Sequence, residues 1–139
     1  MPDRDVVFSK IAIIQRCLKR IKDVTGFDPD SLDNYDKQDI FVLNLQRGIE
    51  ASIGLATHVV AAEGLGLPET IKENFQLLCD SHIINREQKK KMKSMTGFRN
   101  IAVHDYKAID VEILKTILTK HLVDLEDFYS CIVKHFKLV

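Results

Sequence analysis

A chain of 139 residues, 45% hydrophobic and 29% charged, is long enough for one domain to bury its core without disulfides or metals. Twenty basic and twenty acidic side chains cancel, so no global field draws the protein toward nucleic acid or membrane, and any such contact has to come from a local patch. No apolar run approaches the roughly 20 residues of a membrane span, and Cys17, Cys79 and Cys131 form no C-x-x-C, the pattern of reduced thiols in a soluble cytoplasmic protein.

The predicted elements are all helical. Val7, Ile11, Ile14, Leu18 and Ile21 step by three and four, which predicts a first helix over about 5–24, stopping near Gly26. An aspartate-rich connector follows (Asp28, Asp30, Asp33, Asp36, Asp39), read as solvated loop and helix capping. Ile40, Leu43, Ile49, Ile53, Ala56 and Val60 predict a long second helix over about 37–63, closed by Gly64-Leu65-Gly66-Leu67-Pro68. That G-x-G has no preceding strand and no third glycine, so it is not a dinucleotide loop. A short third helix over about 69–81 carries Ile71, Phe75, Leu78 and Cys79. A fourth starts near Arg86, and a fifth over about 110–137 presents Ile113, Ile117, Leu122, Leu125, Phe128, Ile132 and Phe136. No segment alternates long enough to be a strand. The expectation is a single all-α domain over 1–139, an up-down bundle of about five helices.

The chemistry concentrates in and after the fourth helix. Arg99-Asn100-Ile101-Ala102-Val103-His104-Asp105-Tyr106 spells R-N-x-x-x-H-x-Y. An arginine grips a phosphodiester bidentately while staying charged, and an imidazole takes a proton from a ribose hydroxyl near neutral pH. Together they are a minimal kit for cutting RNA without a metal. At about 100° per residue, Asn100 and His104 share a helix face, whereas Arg99 and His104 diverge by roughly 140°. Three arrangements would reunite them: a helix ending near His104, an arginine that reaches around, or a second copy of the chain about a two-fold axis. The plainer alternative is that Arg99 pairs with Asp105 or a backbone carbonyl while His104 caps a helix end.

Upstream, Arg86, Lys89, Lys90, Lys91 and Lys93 face only Glu87, and spacings of three and four put Arg86, Lys89, Lys90 and Lys93 on one face. That run is either a solvated face or a phosphate-tracking surface. His58, His82, His121 and His135 have no catalytic neighbour in sequence. Clustered zinc ligands, paired E-x-x-H, G-x-S-x-G and P-loop motifs are absent, so neither a metal nor a cofactor is expected.

On these residues the chain resembles the HEPN superfamily of small helical bundles with an R-x-x-x-x-H motif, and within it the HepT-like toxins of HepT–MntA-type toxin–antitoxin pairs. The similarity runs through Val42–Ala51 and on to His58, through Leu67-Pro68 to Leu78, and through Met95–Tyr106, with Phe98 standing where a smaller aliphatic residue is common. The resemblance implies a metal-independent endoribonuclease acting as a homodimer, with Arg99, Asn100 and His104 as catalytic residues and RNA as substrate. It also implies a nucleotidyltransferase antitoxin that silences the toxin by attaching AMP to Tyr106. The alternative is a non-catalytic helical dimer that binds nucleotide or RNA and partners a nucleotidyltransferase.

Overall fold

The computed structural model describes residues 1–138, all of whose regular structure is helical. Helix α1 (Arg4–Thr25) starts on the Asp3 side chain, which accepts from the backbone N–H groups of Asp5 and Val6. It stops at Gly26, whose left-handed backbone (φ 58°) turns its N–H onto the Lys22 carbonyl. A 3₁₀ turn (Pro29–Asp33), capped by Asp28, leads to Asn34, which caps the long α2 (Tyr35–Ala62). Of the five aspartates only Asp28 caps; Asp36 and Asp39 lie within α2, and Asp33 makes an ion pair, 3.0 Å from Lys115 Nζ. Gly64, at φ 61°, ends α2. Thr70 caps α3 (Ile71–Asp80), and an Asn85–Gln88 capping box opens α4 (Arg86–Asp105).

After a 3₁₀ turn (Tyr106–Ala108), α5 (Val111–Thr116) and α6 (Leu122–His135) form one continuous length joined by a π segment, Ile117–His121. This is the predicted fifth helix with one widened turn.

Helices α1 and α2 pack together more extensively than any other pair. At Gly48 both neighbours approach the α2 backbone, where a Cβ would lie 3.5 Å from Leu125 Cδ1 and 3.7 Å from Cys17 Cβ. Phe41, Phe75 and Phe128 are fully buried, and the rings of Phe75 (α3) and Phe128 (α6) meet edge to face at 5.5 Å. Leu43, Ile71 and Ile113, which the apolar period places with the core, are instead exposed. In contrast to α2, helix α4 buries only Met92, Met95, Thr96 and Ala102. The motif is therefore carried on a helix that lies on the bundle's surface.

Candidate active site

Helix α4 runs unbroken through Arg99 and His104 and ends one residue later, where Asp105 (φ −164°, ψ 80°) leaves the helical region. The roughly 140° divergence of the two side chains is therefore preserved. Arg99 points inward to α2, its side chain only 17% exposed, with Nε 3.5 Å from Glu50 Oε1. Nε is buried and makes no hydrogen bond, so the attraction to Glu50 is ionic rather than a formed N–H···O contact. Asn100 and His104 face solvent on the other side. Among the described residues Arg99 makes its ion pair with Glu50, none with Asp105, and no hydrogen bond to His104.

Tyr106 opens the 3₁₀ turn that follows, and Ile109 N–H closes that turn on the Tyr106 carbonyl at 2.9 Å. Its ring packs against the edge of the core, and its hydroxyl is not among the buried polar atoms left without a partner. The phenol thus follows the end of α4, two residues after His104, and is anchored by its ring.

The basic run divides into two groups. Lys91 turns away to Glu87 Oε1 (3.3 Å) and to the buried Asp124 (3.7 Å to Oδ1). The hydrogen bond to Glu87, with Asp124 beyond it, pushes its ammonium above the usual lysine range. Arg86, Lys89, Lys90 and Lys93 gather around a shallow dip of about 440 Å³ between α3 and α4, joined there by Lys72 of α3. Lys72 was not identifiable from the run itself, because it reaches this surface from another helix.

The remaining histidines are placed elsewhere. His58 Nε2 accepts from the Asp3 N–H at 2.9 Å, His121 Nδ1 lies 3.1 Å from Asp124, and His135 stacks edge-on against Phe136. His82, at φ 60°, forms the left-handed turn after α3. No three His, Cys, Asp or Glu side chains converge in a metal-holding geometry among the described residues. A larger cleft of about 810 Å³ lies between α4 and the α5–α6 length, with Phe98, Ile101, Ile113 and Ile117 in its lining. It includes neither Arg99, Asn100 nor His104. Among the described residues no helix is long and apolar enough to cross a membrane.

The mRNA nuclease HepT of Shewanella oneidensis is 38% identical over 128 residues, 92% of this chain and 96% of the relative. A crystal structure of a toxin–antitoxin with AMP-PNP superposes with a TM-score of 0.88 at 37% identity, covering 94% of this chain and 98% of that one. A structure of the tri-AMPylated Shewanella oneidensis HEPN toxin in complex with MNT antitoxin matches with the same TM-score, 0.88, at 38% identity and the same coverage, 94% and 98%. Residues 14–132 match the family described as Ribonuclease HepT-like, and the chain belongs to that family.

Proposed function

We infer that this protein is the ribonuclease toxin of a toxin–antitoxin pair and that it cuts RNA without a metal, in a cleft formed by two copies of the chain. The observation that carries the composite cleft is the split within one copy: Arg99 held against α2 by Glu50, His104 on the open face of an unbroken helix. A second copy brought to α4 supplies what one copy separates. In the cleft, His104 takes the proton from a ribose 2′-hydroxyl. The 2′-oxygen attacks the adjacent phosphorus, and the bond to the 5′-oxygen breaks. The 5′-oxygen takes up a proton from solvent, leaving a 2′,3′-cyclic phosphate and a 5′-hydroxyl. Arg99, through the guanidinium nitrogens that Glu50 does not engage, stabilises the extra negative charge on the phosphorane. Asn100, four residues before His104 on the same face, orients the imidazole or the phosphate.

The antitoxin belongs to the same reading. The Shewanella toxin carries AMP and binds an MNT antitoxin. In this chain Tyr106 is the acceptor for AMP from a nucleotidyltransferase of that kind, since its phenol stands at the end of the motif helix.

The test is cleavage of single-stranded RNA by the purified protein in excess EDTA. Activity should persist, and His104→Ala should lower it by about a hundredfold or more, the usual contribution of a general base. Arg99→Ala should cost a similar factor, and Arg99→Lys should restore little, because the bidentate fork is lost. Loss of cleavage on chelation, or an active His104→Ala, would show the mechanism to be wrong. RNA binding with no cleavage by the parent protein would favour the non-catalytic dimer instead.

A further inference from the structure

We propose that α4 carries one continuous phosphate-binding track leading to His104, with Lys72 of α3 as its central contact, and that its ligand is the backbone of a single RNA strand. This rests on the ribonuclease reading above and extends it to how substrate is held. The track follows from helix geometry. Arg86, Lys90, Lys93, Gly97, Asn100 and His104 succeed one another at steps of four, three, four, three and four. At about 100° per residue all six stay within roughly 40° of one line, and Arg86 and His104, five full turns apart, point the same way. The stripe is about 27 Å long at 1.5 Å per residue. The basic cluster and the catalytic face are thus two halves of one side of α4.

Gly97 leaves the middle of that stripe without a side chain, and Lys72 occupies the place. Its Nζ would sit 3.4 Å from a Cβ at Gly97, so the ammonium rests against the α4 backbone between Lys93 and Asn100. Lys93 is steadied from the same side, its Nζ donating to Gln76 Oε1 of α3 at 3.2 Å. A neutral amide fixes that ammonium without cancelling its charge.

None of Lys72, Arg86, Lys89, Lys90 and Lys93 has a carboxylate within ion-pair distance among the described residues, whereas Lys91, off the stripe, has two. Five uncompensated cations around a shared dip, on a protein of zero net charge, make a local anion-binding surface. A line of cations ending at an imidazole proposed to act on a phosphodiester suits an RNA strand. An acidic protein surface would need the charge but would have no use for the alignment with His104.

The experiment measures binding and cleavage separately. Affinity for a long single-stranded RNA is followed against salt in the His104→Ala protein, so that cleavage does not interfere. Lys72→Ala should weaken binding several-fold and flatten the log–log salt slope by about 0.7, the loss of one phosphate contact on a single strand. Lys72→Arg should keep both, and the charge-matched control Lys19→Ala, on exposed α1, should change neither. In the cleaving protein Lys72→Ala should raise KM more for the long RNA than for a trinucleotide. An unchanged slope, or an equal loss on both substrates, overturns the track. Loss of antitoxin binding with RNA affinity intact also overturns it and reassigns the surface to an acidic protein. A parent protein that binds with the expected slope but leaves RNA uncut would fail the ribonuclease reading instead, so the two failures are distinguishable.

Discussion

Glu50 is 51% exposed and makes a single ion pair, yet it faces the one nitrogen of Arg99 that is sealed from water. Holding Nε from behind leaves the two terminal nitrogens as the phosphate fork. Glu50 is on this account a positioning residue: Glu50→Ala should lower kcat by about tenfold through misplacement of the guanidinium. KM should change less. Because no hydrogen bond is formed at 3.5 Å, Glu50→Gln should be nearly as poor as alanine. A rise in kcat for either variant would mean that Glu50 restrains Arg99 rather than aims it. Cys17 offers a second check at this scale. Burial pushes its thiol above the usual cysteine range, against smaller opposite effects of Arg47 and Arg16. Thiolate is the reactive form, so Cys17 should be alkylated far more slowly in the native protein than the half-buried Cys79 and Cys131. Peptide mapping after brief alkylation, native and then in urea, reads this directly. Equally fast native labelling would show that α1 and α2 separate.

Among the elements, the end of α4 is where the proposed regulation would act. The helix ends at Asp105, and Tyr106 opens a 3₁₀ turn with its ring against the core. An AMP added there brings a phosphodiester charge and a bulky nucleotide next to the motif, repelling incoming RNA. Tyr106→Phe should therefore cleave RNA yet resist silencing when co-expressed with the cognate nucleotidyltransferase. Intact-mass measurement should show the adenylyl increments on the parent chain and their loss from the variant. An adenylylated Tyr106→Phe that is still fully silenced would place the modification elsewhere. The long helices were legible because three-and-four spacing, Asn and Asp caps and Gly26 or Gly64 mark both faces and ends. What covers a face was not. Leu43, Ile71 and Ile113 keep the apolar period but lie at the rim, and the π segment at Ile117–His121 is hidden because Leu118 and Leu122 still step by four. Glu50 and Lys72 were illegible for a related reason. Each reaches α4 from another helix, and only tertiary packing brings them to the motif.

At the scale of the whole molecule, the question is what closes the gap between Arg99 and His104. Ile101 and Val103, on either side of the motif's Ala102, are 57% and 49% exposed, an unusual use of apolar residues on a surface helix otherwise rich in lysine. The zero net charge adds no long-range repulsion between copies. Both features fit a two-fold pairing through α4, in which each Arg99 works with the His104 of the other copy. That arrangement makes a prediction no single-chain site shares. Arg99→Ala and His104→Ala proteins should each be nearly inactive on their own. Mixed in equal amounts under conditions that exchange subunits, they form heterodimers in which one chain supplies an intact arginine and the other an intact histidine. With random pairing, half of the dimers are mixed and one of their two sites is whole, so activity should return to about a quarter of the parent's. Sedimentation of the parent protein should give the mass of two chains at the concentration of the assay. Mixtures that stay inactive although exchange is demonstrated, or a monomer with full activity, would mean that one chain brings Arg99 and His104 together by a rearrangement of α4 itself.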